Sequence, residues 1–381
     1  MPGRRGRASG EGSLYKRGDG RWVGQVDLGW EEGKRRRLLV YGKNQAEVRE
    51  RLTAKVRERD LGMLPTSGKL STGAFLSAWL RDVVKVTTRR STHERWSVVV
   101  KKHLIPRIGP IRLDKLQPTD VRKLMRVGIE DGQSPSSVNL WRAVLRSALT
   151  TAVRDGLLPR NVAALAQGMH VERELVQTFD PMQARAFLAA VRGDRLQALW
   201  TVALSLGLRR GEALGLRWSD LDLEGGVLGV TQSLQRIGNK LVIEELKTRR
   251  SRRTLVLPRQ SVVALQDHRQ AQLKERLRTK RWQDHGLVFV DERGGPLQPG
   301  SVSEGFQRVL KRAGLPPMRF YDLRHSCATL MLVQGVSPRV VMELLGHSTI
   351  TLTMDTYSHV LFSLKEEAAQ AMNRVLSGSG N

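Results

Sequence analysis

Residues 205–216 read SLGLRRGEALGL and residues 320–332 read FYDLRHSCATLML. Gly207 closes the apolar run ALWTVALSLG ahead of Arg209, and Arg324 stands near the start of the helical run that carries Cys327. An arginine near a helix start adds a guanidinium fork to free backbone N–H groups and the positive end of the helix dipole. That combination suits a phosphate oxygen. The plainer alternative is an ion pair with a carboxylate such as Glu212.

Around these two stretches the C-terminal half has a mixed pattern. Asp180-Pro181 signals a helix start, and the helices AFLAAVRG and ALWTVALSLG follow. GGVLGVTQSL, KLVIEEL and RRTLVLP are rich in Val, Leu, Ile and Thr, which predicts a small antiparallel sheet. Lys247 opens KTRRSRRT between the last two of these strands, so it is expected at the mouth of a hairpin turn. There Arg249 and Arg250 could lie along a DNA backbone, or form an ordinary solvated charge run. His347, in VMELLGHST, follows the helix-terminating Gly346, a usual place for a capping or packing group. Tyr357, in TLTMDTYSHV, is one of 4 tyrosines. A phenol with a pKa of about 10 is a poor nucleophile unless nearby cations favour the phenolate. A last helix is expected from about residue 362 to 375.

Upstream, GSLYKRGDGRWVGQVDLGWEEGKRRRLLVYG alternates polar with apolar residues and breaks at Gly18-Asp19-Gly20 and Glu31-Glu32-Gly33. This predicts three antiparallel strands. NQAEVRERLTAKVRERD then sets Ala46, Val48, Leu52 and Val56 on a helix backing the sheet, with the unit ending near Asp60. Residues 61–69 suit a linker. From about Ser71 to Leu165 the pattern is helical, in GAFLSAWLRDVV, HERWSVVVKKHLIPRIG, PTDVRKLMRV and SPSSVNLWRAVLRSALTTAVRDG. Pro118 and Pro135 stand near helix starts and Gly156 follows a helix end, which predicts a bundle of four or five helices.

The 381 residues are enough for two or three domains. A net charge of +27, from 64 Lys plus Arg against 37 Asp plus Glu, points to nucleic acid as the partner. The one cysteine, Cys327, reads as core packing in a reducing compartment. No apolar run approaches the roughly 20 residues of a membrane span, and the first residues lack a secretory apolar stretch. A soluble intracellular protein without membrane contact is expected. The histidine spacings do not match those of common metal sites, which disfavours a metal-dependent nuclease.

In order and spacing, GLRRGEALGLRW, Lys247, YDLRHSCATLML, ELLGHST and TMDTYSHV resemble the motifs of the tyrosine recombinase, or phage integrase, family. The match spans nearly all of the C-terminal half. The strand-rich segment with Trp22 and Trp30 resembles the family's arm-type DNA-binding domain, and the helical segment its core-binding domain. The resemblance implies an arm-binding domain at 1–62, a core-binding bundle at 63–168 and an α+β catalytic domain at 175–381, in a mainly α multidomain chain. It makes Arg209 and Arg324 phosphate clamps, Lys247 the hairpin lysine, His347 the second-motif histidine and Tyr357 the nucleophile, with Glu212 supporting the first arginine. Arg17, Arg21, Arg35, Arg36, Arg249 and Arg250 are the expected DNA contacts.

One position departs from the family pattern. Tyr321 heads the motif where histidine is usual; a phenol can donate a hydrogen bond but is not easily titrated near neutrality. His325, the helical neighbour of Arg324, should point about 100° away from it and does not substitute.

The implied reaction is transesterification through a 3′-phosphotyrosine, without ATP, metal or other cofactor. It implies a homotetramer on two double-stranded DNA sites, accessory DNA-bending or directionality factors, and a bacterial cytoplasmic, nucleoid-associated location. The segment after Tyr357, with Leu361, Phe362, Leu364 and Val375, would dock on its own or a neighbouring protomer. The rival readings are a type IB topoisomerase and a regulator that has lost catalysis. The two front domains weigh against the first, and the intact motif set weighs against the second.

Overall fold

Strands β1 (Ser13–Lys16), β2 (Trp22–Glu31) and β3 (Lys34–Gly42) form an antiparallel meander in which Val23 stands opposite both Tyr15 and Tyr41. Helix α1 (Gln45–Asp60) packs on this sheet, with Val48 and Leu52 buried against the side that buries Val26. Ala46, expected on that face, is exposed. It sits two residues before Val48, about 200° round the helix, whereas Val48, Leu52 and half-buried Val56 recur every fourth residue.

The computed structural model describes residues 12–31, 34–60, 70–172, 177–246 and 252–346, and the short helical pieces 369–370, 372–373 and 376. Side chains at 28–31, 34, 36 and 58–60 are outside this description, as are Leu361, Phe362, Leu364 and Val375 of the expected last helix. The chain divides into two units, Met1–Arg173 and Glu174–Asn381. Among the described residues no helix is long and apolar enough to cross a membrane.

The first unit also contains α2 (Thr72–Trp79), α3 (Lys85–Thr87), α4 (Arg90–Val99), α5 (Ile105–Ile108), α6 (Pro118–Glu130), α7 (Pro135–Arg154) and α8 (Val162–Leu165). Two π-helical turns, Leu80–Val84 and Val100–Leu104, join α2 to α3 and α4 to α5, so each predicted apolar run is one continuous rod. The wider turns keep Leu80, Val84, Val100 and Leu104 all in the core. Trp79 stacks on Trp96 with centroids 5.5 Å apart and donates through its indole N–H to Thr151 Oγ1 at 3.2 Å, which ties the rods to α7. Pro118 and Pro135 occupy first helical turns as expected.

The second unit contains α9 (Pro181–Ala190), α10 (Gln197–Leu206) and α11 (Arg210–Leu214), then β4 (Leu221–Asp222), β5 (Val227–Val230), β6 (Gln232–Ile237), β7 (Lys240–Glu245) and β8 (Arg253–Val256). Helices α12 (Arg259–Arg278), α13 (Pro299–Arg312), α14 (Asp322–Val333) and α15 (Pro338–Leu345) follow. Helix α10 is nearly all buried, and Trp200 on it packs against Phe306 and Phe320.

The strand pairing differs from expectation. GGVLGVTQSL is two strands broken at Thr231: β5 pairs with β4 and β8, and β6 pairs only with β7. Among the described residues β7 and β8 do not pair with each other; Lys247, expected at a hairpin mouth between them, lies outside the described residues. The hairpin is instead closed by Gly238-Asn239, a two-residue turn joining Ile237 to Lys240. Register places the residues on either side of the Lys247 stretch. Glu245 lies opposite Gln232, Leu246 N donates to Thr231 O at 2.8 Å, and Arg253 lies opposite Val230. Residues 247–251 lie outside the described residues.

Helix α10 ends at Gly207 with φ 60°, and α15 ends at Gly346 with φ 66°, both left-handed caps. A Cβ on Gly207 would collide with the Leu345 side chain and press on Cys327. At Gly193, with φ 76°, a Cβ would meet nothing within 4 Å. Gly193→Ala should therefore cost only the left-handed strain, about 1–2 kcal/mol. Gly207→Ala should cost more, read as a larger drop in the urea midpoint; equal drops would refute the close-approach account.

Candidate active site

Arg324, in the first turn of α14, is 1% exposed. Its Nη1 donates to Gly207 O at 2.8 Å and its Nη2 to Leu345 O at 2.5 Å. Both acceptors are carbonyls at helix ends, where the dipole presents partial negative charge to a cation. Burial, and then the neighbouring charge of Arg209, pull the guanidinium down to about 10, so it stays charged at neutral pH. Its Nε has no hydrogen-bond partner among the described residues.

Arg209 caps the start of α11 and is 39% exposed at its side chain. Its Nη1 donates to Glu212 Oε1 at 2.6 Å, and its backbone N–H to Glu212 Oε2 at 3.1 Å. Arg209 thus forms an ion pair with Glu212 at the edge of the core, where Glu212 is 2% exposed. A second arginine, Arg253 at the start of β8, reaches the same carboxylate, with Nη2 2.9 Å from Oε2. Burial pushes the Glu212 carboxyl up, but Arg253 and then Arg209 outweigh it and hold it below the usual carboxylate range.

The three arginines converge on the end of α15. Arg253 Nε donates to Leu344 O at 2.8 Å, Arg324 Nη2 to Leu345 O at 2.5 Å, and Arg209 Nη2 makes a longer 3.4 Å contact to Gly346 O. Three successive carbonyls that the helix cannot satisfy are each taken by a different cation. His347 follows directly in sequence.

The other expected site residues divide into two groups. Lys247, His347, Tyr357, Arg249 and Arg250 lie outside the described residues, as does the side chain of Arg36. Tyr321 directly precedes α14, is 43% exposed, and sets its ring edge-on against His325 with centroids 5.1 Å apart. One helical turn puts these two on the same face. Burial lowers the His325 imidazole, so Tyr321 lies against a neutral ring. In the first unit Arg17 and Arg21 flank the β1–β2 turn beside Asp19, and Arg35 Nε donates to Asp27 Oδ2 at 2.6 Å.

The phage integrase family model matches residues 177–363, and the model for the phage integrase N-terminal SAM-like domain matches residues 73–126. An integrase of Saccharopolyspora erythraea is 29% identical, across 97% of this chain and 98% of that protein. A XerC-like tyrosine recombinase of Caldanaerobacter subterraneus subsp. tengcongensis is 27% identical, across 90% and 93%. The chain belongs to the phage integrase family. It is a tyrosine recombinase by that membership.

The recombinase fold agrees. The Tn1549 transposon integrase, solved with a circular intermediate DNA, superposes with a TM-score of 0.67 at 22% identity, over 81% of this chain and 100% of that one. A lambda integrase dimer bound to a COC′ core site gives 0.57 at 18% identity, over 93% and 96%.

In the sequence Arg253 is one cation of the basic run KTRRSRRT. Strand alternation carries the missing signal: Arg253 shares the inward face of β8 with buried Leu255, while Val256 faces out.

Glu212→Gln leaves two arginines facing a neutral amide in the interior of this recombinase. A broken buried pair of this kind costs about 3–5 kcal/mol, read from chemical unfolding. Because the folded carboxyl sits below its ordinary value, its contribution is complete above that value and is lost as pH falls through the folded one. The wild type should therefore lose its margin over Glu212→Gln on acidification; a margin that does not change with pH would refute the charge-pair account.

Proposed function

We propose that this recombinase cuts and rejoins double-stranded DNA through a covalent link to Tyr357, in the integration, and with accessory factors the excision, of a phage or other mobile element. The observation that carries this reading is the convergence of Arg209 and Arg324 on the end of α15, directly ahead of the segment that holds His347 and Tyr357. Two guanidinium groups anchored from behind can present their remaining N–H groups to the two non-bridging oxygens of one phosphodiester.

In the proposed reaction the Tyr357 phenol gives its proton to solvent water and its oxygen attacks phosphorus in line. The bond from phosphorus to the 5′ oxygen breaks, and Lys247 delivers a proton to that oxygen. A 3′-phosphotyrosine and a free 5′-hydroxyl result. A 5′-hydroxyl from another strand reverses the step, so bond energy is conserved and no ATP is consumed. Arg209, Arg324 and His347 stabilise the charge on the phosphoryl oxygens, each contact contributing roughly 3–4 kcal/mol of barrier lowering. Tyr321, half exposed at the head of α14, serves as a hydrogen-bond donor to the phosphate.

The rest of the chain supplies target recognition. The sheet and α1, within residues 1–62, would bind arm sites through Arg17, Arg21, Arg35 and Arg36, and the bundle at 63–168 and the catalytic domain at 175–381 would each contact core DNA. Arg249 and Arg250 would follow the backbone near the cut. Solved relatives include a lambda integrase tetramer on a Holliday junction. By analogy the working form here is a homotetramer on two DNA sites, acting in the bacterial cytoplasm at the nucleoid.

Trapping the covalent complex on random DNA fragments and sequencing the attached ends tests the nucleophile, polarity and target together. Tyr357→Phe should bind DNA as tightly as the wild type and form no adduct; an adduct in that variant would sink the assignment. For Lys247→Ala, replacing the bridging 5′ oxygen with sulfur should restore cleavage, since a thiolate leaves without a proton. Equal impairment on both substrates would remove Lys247 as the acid.

A further inference from the structure

Arg253 is the arginine that this mechanism leaves without a task. Its side chain is 7% exposed and, among the described residues, joins two groups: Nη2 on the Glu212 carboxylate and Nε on Leu344 O. Glu212 in turn holds Arg209. Leu344 O is the first of the three α15 carbonyls taken by arginines, and the next two are held by Arg324 and Arg209. Arg253 therefore touches the carboxylate behind one clamp arginine and the helix end shared by both.

The geometry points to Arg253 as a positioning residue for the phosphate clamp, acting through Glu212 and the end of α15 rather than on DNA. This rests on the reading of Arg209 and Arg324 as the groups that stabilise the reacting phosphate. Its planar fork fixes the distance between a carboxylate and a carbonyl with two directed N–H groups. A lysine ammonium is a single point of charge and cannot hold both in the same geometry. Desolvating a third cation in this interior is costly, and an apolar side chain would fill the space at less expense. What the arginine adds is the fixed orientation of Glu212, and through it of the Arg209 fork.

The test uses the full-length protein and a synthetic duplex built from the DNA ends recovered by trapping the wild-type adduct. Arg253→Lys is compared with wild type for DNA affinity, for the rate of adduct formation at saturating protein, and for that rate when a methyl group replaces one non-bridging oxygen of the scissile phosphate. The neutral phosphonate needs less charge stabilisation from the clamp.

Arg253→Lys should bind the duplex within roughly two-fold of wild type yet cleave the diester at least about ten-fold more slowly, with a deficit on the phosphonate of under roughly three-fold. An unchanged diester rate overturns the inference, and so does an equal deficit on both substrates, which would mean loss of packing alone. If Arg253→Lys unfolds at the assay temperature, Arg253→Gln, which keeps an amide donor for Leu344 O, is measured against the same outcomes. Wild type and Tyr357→Phe run alongside. A wild type that forms no Tyr357-dependent adduct overturns the parent reading, and the inference with it, whereas a normal wild type beside an unaffected Arg253→Lys overturns the inference alone.

Discussion

An arginine shut away from water must find its hydrogen bonds inside the protein, and Arg324 finds them on the last carbonyls of two helices. This requirement fixes much of the catalytic unit. For Gly207 O and Leu345 O to face one guanidinium, α10 and α15 must both end beside the first turn of α14. Gly207 and Gly346 make those ends possible by taking backbone angles that other residues resist. Leu345 packs where a side chain on Gly207 would stand. Close approach of the helices and satisfaction of the arginine are one constraint seen from two sides.

Glu212 performs the complementary task. Arg209 and Arg253 reach it from opposite ends of the α11 to β8 stretch, and its buried carboxylate pairs with both, one partly exposed and one buried. The rigidity that results bears on catalysis, because a clamp that must reorganise when the phosphate arrives loses part of what it could contribute. The same network ends α15 at a defined point and so defines where the chain carrying His347 begins.

The element types were largely legible in the sequence, because apolar residues recurred with a helical or strand period and Pro, Gly and Asp marked the ends. The three-stranded meander with its helix, the bundle rods and the α10 cap all followed from such local signals. Strand partners did not. GGVLGVTQSL carries uniform strand propensity, and nothing local reveals that it bends at Thr231 to pair with β7 on one stretch and β8 on the other. The Gly238-Asn239 turn that sets β6 against β7 lies beyond the end of that stretch. In the site, the motifs pointed to Arg209, Arg324 and Glu212. Arg253 stayed hidden because its partners, Glu212 and Leu344, are 41 and 91 residues away in sequence, and such contacts leave no periodicity.

The charges at the site then form a balance that suits the proposed chemistry. Among the described residues, Arg209, Arg253 and Arg324 bring three positive charges and Glu212 one negative, an excess of two. A phosphodiester brings one negative charge, and attack by a phenolate raises this to about two on the way to the transition state. In the proposed mechanism the excess carried by these four side chains would match the transition state more closely than the bound DNA. A site that held its arginines with a second carboxylate would gain stability at rest and lose that difference. The use of neutral backbone carbonyls to hold Arg324 fits the same proposal: they satisfy its N–H groups without cancelling the charge that would meet the phosphate.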